Sequence, residues 1–239
     1  MKKIIILSLL CVFSISSFAQ ISLKKIKQAV TTKTATLSES DIASGLKEAL
    51  NVGAKNASAQ LNALDGFNKN TKVRIPFPED AQRVAKKLRE MGFGKKVDEF
   101  ELTLNRAAEQ AAKEAAPIFV NAITSMTITD AKNILMGADT AATGYLRSKT
   151  SASLASAFSP HIKKALDATT ATRKWTELAT LYNRIPLVTK VETDLVKFTT
   201  NRALKGIFTV VADEELKIRK DPAARVTDLL KKVFGSKTS

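Results

Sequence analysis

Asn105, Arg106 and Glu109 are the first residues whose types and spacing could do chemistry. They lie in an alanine-rich stretch, and on a helix Arg106 and Glu109 would share a face and could pair. Buried at the centre of a domain, such a cluster could hold an anion or a carbonyl group. The alternative is an internal ion pair in a tightly packed helix, which we favour because paired charges need not form a site.

A second group lies in the stretch LMGADTAATGYLRSKT, residues 135–150. If Gly137 ends one helix in a left-handed conformation and Asp139 or Thr140 caps the next, free backbone amides at the new helix start could bind an anion. Because Asp139 would repel that anion, we favour a junction between two helices over a ligand site. The candidate ligand-binding residues here are Asp139, Thr140, Thr143, Tyr145 and Arg147.

The two groups together suggest one spatial hypothesis. Small residues on segments 105–116 and 137–147 would let the backbones approach closely and bring Arg106, Glu109 and Tyr145 together at the domain centre. This cluster would be structural, or it would be the site of an enzyme of an uncommon carboxylate and arginine type. We predict a binding or structural module, because no complete set of nucleophile, base and metal ligands is visible.

A third group lies near the C-terminus, in residues 213–230. Glu215 and Arg219 are four residues apart in the favourable order for a helical ion pair. Arg225 has no local acid and could reach back to Glu214 or Glu215, so Glu215, Arg219 and Arg225 are predicted to hold the C-terminal helices together. Glu214 and Glu215 as an acid and base pair are disfavoured, since neighbouring residues of a helix point about 100° apart.

Histidine and cysteine are too scarce for the common catalytic and metal sites. The chain has one histidine, His161, and one cysteine, Cys11. Serine and cysteine triads need a histidine base, and zinc or di-iron sites need His or Cys ligands that this chain lacks. Calcium-binding, phosphate-binding and dinucleotide-binding motifs are also missing. We therefore predict no metal site and no cofactor.

The N-terminus has the pattern of a signal peptide at residues 1–19. Lys2 and Lys3 precede a short apolar run, and Ser17-Phe18-Ala19 provides small residues for cleavage after Ala19. A lipoprotein signal that uses Cys11 is the disfavoured alternative. The prediction is a periplasmic or secreted protein whose mature chain begins with a basic amphipathic or disordered arm, residues 20–35, followed by one domain, residues 36–239.

The charge of the chain limits its partners. The formal net charge is +15 and would fall by two with the loss of Lys2 and Lys3. An anionic lipid or polysaccharide surface is the predicted partner, although a merely solvated basic surface is the favoured simpler interpretation. The N-terminal arm could rest on an anionic leaflet. Specific nucleic-acid binding is not predicted because stacking aromatics are few, and no later apolar run is long enough for a transmembrane helix.

Helical periodicity dominates after residue 36 and predicts a single all-α domain of about ten helices. The exception is a short extended segment near residues 72–77, where Pro76 and Pro78 forbid helix and pairing with residues 126–128 is plausible. The next helix should turn Val84, Leu88 and Met91 inward. Further predicted boundaries are a kink at Pro117, caps at Thr129-Asp130, Thr150 or Ser151, Ser159-Pro160 and Thr193-Asp194, a helix end near Gly206, and last helices over 222–235.

Five phrases in this order carry a resemblance to a known family: LSESDIASGLKEAL, VRIPFP, NRAAEQAA, DAKNILMGADTAATGYLRSKT and IRKDPAARVTDLLKKVFG. Together they resemble Domain of Unknown Function 4197, a family of exported bacterial proteins. The resemblance runs from about residue 35 to the C-terminus. It implies no reaction, ligand or catalytic residue, so the functional argument depends on the residues themselves.

Overall fold

The computed structural model describes residues 38–184, 186–187, 189–221, 224–225, 231 and 233. The predicted signal peptide (1–19) and N-terminal arm (20–35) lie outside the described residues, as does most of the predicted helical segment 222–235.

The described residues are helical and contain no β-strand, which confirms the all-α class. They belong to one compact unit, Leu37–Ser239. None of the described helices combines the length and the apolar character that crossing a bilayer requires. The helices are α1 (Glu39–Asn62), a 3-10 turn (Glu79–Ala81), α2 (Gln82–Leu88), a wide turn (Arg89–Phe93), α3 (Gly94–Ala112), α4 (Ala115–Thr124), α5 (Ile128–Met136), α6 (Ala141–Asp167), α7 (Thr170–Tyr182) and α8 (Leu195–Lys220).

The start of α1 follows directly from its sequence. Ser38 is the N-cap, its hydroxyl accepts from the backbone N–H of Asp41, and the Asp41 side chain accepts from the N–H of Ser38. This is the reciprocal capping box that the spacing predicts. The apolar stripe that follows is buried, with Leu46 and Leu61 almost completely inaccessible.

The helices are fewer than predicted because α6 and α8 run through several predicted breaks. Thr150 and Ser151 donate to the carbonyls four residues earlier and cap nothing. Pro160 lies inside α6, where the buried Phe158 and Ile162 hold the helix on both sides of it. Packing of the apolar face therefore outweighs the one hydrogen bond that a proline removes.

Gly206 and Gly137 are needed for close packing, and neither ends a helix in a left-handed conformation. Gly206 lies within α8, where an added Cβ would come within 2.6 Å of the Phe67 ring. Gly137 is extended (φ −77, ψ −177), and a Cβ there would lie 2.7 Å from that of Ala141. The predicted left-handed cap at Gly137 is therefore wrong.

Two further boundaries are displaced from their predicted positions. α3 ends at Ala112 and α4 starts at Ala115, so the break comes before Pro117, which lies in the first turn of α4. A proline is tolerated in a first turn because its missing N–H would have no helical partner there. The cap of α5 is Thr127, with Asp130 completing a capping box, in place of Thr129-Asp130.

Residues 72–77 are not helical, as predicted, but residues 71–73 form a turn, and the segment is neither a strand nor paired with residues 126–128. Thr127 caps α5 instead. Val73, Ile75 and Phe77 of the segment point into the core and are buried. Phe77 packs edge-on against Trp175, with ring centroids 5.1 Å apart.

Side chains of α3 take the place of a neighbouring strand. The Asn105 amide accepts from the N–H of Ile75 at 2.8 Å and donates to the carbonyl of Ile75 at 2.8 Å. Glu101 accepts from the N–H of Phe77 at 3.1 Å. Glu101, Asn105 and Glu109 repeat every four residues along one face of α3 and are all buried. We call these three residues the α3 polar stripe.

Replacing Asn105 with alanine tests this anchor. The variant leaves the buried N–H and C=O of Ile75 without partners, and an unsatisfied buried group costs about 1–3 kcal/mol. We expect Asn105→Ala to lower the free energy of unfolding by about 2–5 kcal/mol, measured by urea denaturation.

Thr103 on the same helix provides the control. It is half-buried, and its hydroxyl bonds only to the carbonyl of Glu99 within α3. Thr103→Ala should change the free energy of unfolding by less than about 0.5 kcal/mol. Equal effects of the two variants would show that the amide does not anchor the segment.

Candidate functional site

The eight predicted ligand-binding residues are spread over four places in the fold. Asn105 and Glu109 belong to the α3 polar stripe, and Glu109 forms an ion network with Arg106. Asp139, Thr140 and Thr143 lie at the junction of α5 and α6. Tyr145 lines a separate groove, and the Arg147 guanidinium lies 5.2 Å from the ring centroid of Phe208.

Glu109 holds the chain that leaves α1. One carboxylate oxygen accepts from the N–H groups of Phe67 and Asn68, both at 3.1 Å. The other accepts from Arg106 at 2.5 Å, so the predicted i,i+3 pair is present. Arg106 also donates to Asp65 at 2.7 Å. Both oxygens of Glu109 are therefore committed to bonds within the protein.

The charges of this network stabilise one another. Hydrogen bonds from Lys69, Asn68 and Arg106 hold the pKa of the Asp65 carboxyl well below its usual range. The pKa of the Arg106 guanidinium is raised, chiefly by its hydrogen bond to Glu109. The two carboxylates, Asp65 and Glu109, thus face two cations, Arg106 and Lys69, and the cluster pairs its own charges without a ligand.

The hypothesis that Tyr145 joins Arg106 and Glu109 is wrong. In the part of the chain that the structure describes, Tyr145 makes no hydrogen bond to either residue. It lines an open groove of about 660 Å³ between α4, α5 and α6. Helices α3 and α6 do pack together. Tyr145 lies on the side of α6 that faces α4. The ion network of Arg106 and Glu109 lies elsewhere, on α3.

The junction of α5 and α6 is closed by Glu215 from α8. Its carboxylate accepts from the N–H groups of Ala142 at 3.0 Å and Thr143 at 2.8 Å, and from the Thr143 hydroxyl at 2.8 Å. Thr140 is the N-cap residue but makes no side-chain cap hydrogen bond. The amides at the start of α6, which formed the disfavoured anion site, are thus bound by a carboxylate of the protein itself, in agreement with the favoured helix junction.

Arg219 completes the junction from the other side. It pairs with Glu215 at 2.8 Å and donates to the carbonyl of Ile134 at 2.8 Å, near the end of α5. The negative carboxylate therefore meets a helix start and the positive guanidinium meets a helix end, as the helix dipoles favour. Asp139 lies outside this pair and bonds to Lys220 at 2.9 Å.

Arg225 does not reach back to Glu214 or Glu215 as predicted. It donates to the carbonyls of Ile218 at 3.1 Å and Arg219 at 2.9 Å, near the end of α8. Glu214 instead accepts from Asn56 at 3.1 Å and from Lys217. Arg225 still fastens the chain that follows α8, through carbonyl groups that a helix end leaves without helical partners.

Polar residues line the groove beside Tyr145, and some of them already bond within the protein. Burial, with a smaller effect of Asp130, raises the pKa of the Tyr145 hydroxyl, so the phenol stays protonated. Asp130 is committed to the capping box with Thr127. Lys149 lies over the Tyr145 ring, 5.9 Å from its centroid. Among the described residues, no group of three or more His, Cys, Asp or Glu is placed to hold a metal ion.

A different surface stands out, formed by α2, the wide turn and the start of α3. We call residues 82–96 the basic hairpin; they contain six Lys and Arg residues and one acid. Val84 and Met91 were predicted to face inward, but Val84 is 40% exposed and Met91 is 62% exposed. Ala81 and Ala85 occupy the buried face instead. Phe93, next to the turn, is 46% exposed.

Most cations of the basic hairpin have no acidic partner among the described residues. Lys87 pairs with Glu90 at 3.3 Å, and Arg89 pairs with Asp98 at 2.6 Å. The remaining four are exposed and form no ion pair with any residue that the structure describes: Arg83, Lys86, Lys95 and Lys96. The hairpin is thus a concentrated positive charge that also carries exposed apolar side chains.

Sequence reasoning missed this surface because periodicity shows that residues share a face without showing what covers it. Val84 and Leu88 lie one turn apart on α2, whereas Met91 lies beyond the end of α2, in the wide turn. The available signal was the local density of cations, since the basic residues of 82–96 come on both sides of the apolar pair Met91 and Phe93.

Residues 36–235 match the family described as "Protein of unknown function (DUF4197)". The match covers most of the chain, so the protein belongs to this family. No curated protein and no solved structure matches the chain significantly.

The Glu215–Arg219 junction should be essential for stability. Glu215→Ala removes the cap of α6 and leaves Arg219, which is nearly inaccessible, without its counter-ion. Breaking a buried pair in this way costs about 3–5 kcal/mol, and we expect that loss in the free energy of unfolding. The exposed Glu177, replaced by alanine, is the control and should change little. A loss below about 1 kcal/mol for Glu215→Ala would contradict the assigned role.

Substitutions of Glu109 and Arg106 should lower the free energy of unfolding by different amounts, although the two residues form one ion pair. Glu109→Ala leaves the N–H groups of Phe67 and Asn68 unsatisfied, and we expect a loss of about 2–4 kcal/mol. The Arg106 side chain is 31% exposed, so Arg106→Ala should cost only about 0.5–1.5 kcal/mol because water can replace it. Chemical denaturation of both variants measures the difference, and the reverse order would contradict this account of the network.

Proposed function

We propose that this protein is an exported helical binding module that associates with an anionic surface of the cell envelope through the basic hairpin. The recognised chemistry is the phosphate or carboxylate groups of an anionic lipid or polysaccharide. Export is part of the proposal and is supported by the signal-peptide pattern of residues 1–19.

The observation that carries the proposal is the contrast between the hairpin and the interior. Buried charged residues such as Glu109, Glu215 and Arg219 bond within the protein. Four exposed cations of the hairpin form no ion pair with the described residues and lie within fourteen residues of sequence. Clustered unpaired cations attract anionic surfaces far more effectively than the same charges dispersed among acids.

The polar clusters support a catalytic role less well. Both oxygens of Glu109 are engaged by Phe67, Asn68 and Arg106, and the carboxylate of Glu215 is engaged by the start of α6. A general base needs a free lone pair within reach of a substrate proton. These carboxylates are used to position the chain.

Binding to anionic surfaces at low salt tests the proposed function. The chain beginning at Gln20 should sediment with vesicles of phosphatidylcholine containing about one third phosphatidylglycerol, or bind beads that carry an anionic polysaccharide. Binding should weaken strongly between about 0.05 M and 0.5 M salt, because exposed charges are screened. Pure phosphatidylcholine vesicles are the neutral control.

Two charge variants of equal net charge locate the interaction. Substituting Lys86→Glu, Lys95→Glu and Lys96→Glu in the hairpin should abolish most of the binding. The matched control reverses three exposed lysines elsewhere: Lys55→Glu, Lys164→Glu and Lys174→Glu. Equal loss in both variants would assign the binding to overall charge, and binding to neither anionic surface at low salt would refute the proposal. Because the proposal assigns binding to the basic hairpin, a form lacking residues 20–35 should bind as the chain from Gln20 does.

A further inference from the structure

Two exposed apolar side chains, Met91 and Phe93, lie at the turn of the basic hairpin. We call them the apolar apex. Met91 and Phe93 stand on either side of Gly92, whose backbone has φ +88. An added Cβ at Gly92 would meet nothing within 4 Å, so glycine is required there for the backbone conformation and not for space. This conformation turns the chain sharply at Gly92 and leaves the side chains of Met91 and Phe93 exposed on either side of the turn.

The apolar apex continues along α2. Val84, Leu88 and Met91 follow the spacing of one helical face, and Leu88 alone among them is partly buried against the core. Exposed apolar side chains that are scattered singly are ordinary on a protein surface. Here Met91 and Phe93 are exposed together at a sharp turn, beside cations that form no ion pair with the described residues, and such a grouping is typical of an interaction surface.

We propose that the basic hairpin docks on an anionic phospholipid bilayer, with Met91 and Phe93 entering the boundary between headgroups and acyl chains. This inference rests on the proposed function and names its partner as lipid. Lys86, Lys95 and Lys96 would contact the headgroup phosphates, since long lysine side chains can extend along an apolar surface while their ammonium groups stay in water.

The apolar residues favour lipid over polysaccharide. A hydrated polysaccharide offers phosphate or carboxylate groups to the lysines but no apolar phase for Met91 and Phe93. A bilayer offers both, and burial of a large apolar side chain adds to the electrostatic attraction. The combination of cations with protruding apolar side chains therefore matches a membrane surface better than a purely polar polymer.

Charge argues against the two other occupants of this surface. A second copy of the chain would bring one basic hairpin against another, and like charges repel at a symmetric interface. The N-terminal arm carries Lys24, Lys25, Lys27 and Lys33 without an acid between residues 20 and 35, so it too is repelled by the hairpin. An anionic lipid surface is the occupant whose charge is complementary.

The test removes the apolar apex and keeps every charge. The variant Met91→Ser with Phe93→Ser should bind vesicles containing phosphatidylglycerol at least about tenfold more weakly than the unmodified chain from Gln20. The control, Leu64→Ser with Met136→Ser, removes two apolar side chains at least as exposed and far from the hairpin in sequence, and it should bind as the unmodified chain does. Circular dichroism and denaturation would verify that both variants fold, which is expected because all four side chains are exposed.

A fluorescent probe provides a second readout that does not depend on affinity. The only native tryptophan, Trp175, is buried in the core. In Phe93→Trp, the added indole should shift its emission to shorter wavelength on anionic vesicles and be quenched by lipids brominated in the acyl chains. The unmodified chain, whose single indole is buried, should show neither change.

The outcomes separate this inference from the proposed function. If the hairpin charge reversal abolishes vesicle binding but Met91→Ser with Phe93→Ser binds normally, the surface interaction is purely electrostatic and the lipid insertion is refuted while the proposed function stands. The inference also fails if Phe93→Trp is not quenched, or if the unmodified protein is a dimer that the double serine variant makes monomeric. Absence of binding to any anionic surface at low salt would refute both.

Discussion

The buried polar groups of residues 65–77 constrain the rest of the structure. This segment winds through turns up to Val73 and buries the side chains of Phe67, Val73, Ile75 and Phe77, and a buried backbone N–H or C=O must find a partner. The α3 polar stripe supplies these partners, with Asn105 bonding both to the N–H and to the C=O of Ile75. Fixing the segment in turn sets the position of Phe67, whose ring lies against α8 where only Gly206 leaves room.

Charged side chains at helix ends hold α5, α6 and α8 together. Glu215 and Arg219 stand one turn apart on α8, and between them they satisfy the first amides of α6 and a late carbonyl of α5. One ion pair thereby fixes three helices at a single point, with each charge next to the helix end of opposite sign. The stretch between Leu135 and Thr143 has few large side chains because two helix ends and α8 converge there.

The buried polar groups and the exposed surface of the protein have different roles. The polar clusters that the sequence predicts as candidate sites, around Glu109 and Glu215, bond within the fold, so their carboxylates are engaged by the protein itself. The basic hairpin differs, because its cations Lys86, Lys95 and Lys96 have no ion-pair partner among the described residues and its apolar side chains contribute little to the core. A surface that the fold does not require is the natural place to look for function.

The sequence alone determined the helical class, the capping box at Ser38 and the pairs Arg106–Glu109 and Glu215–Arg219, because these depend on residues within one or two turns. Only the tertiary structure decided which apolar faces are covered and which polar groups meet. Local spacing placed Val84, Leu88 and Met91 on one face of a helix, but in the structure only Leu88 packs against the core, and Val84 and Met91 are exposed. It could not reveal that a carboxylate from residue 215 caps a helix that begins at residue 141, since contacts between distant segments depend on how the whole core packs.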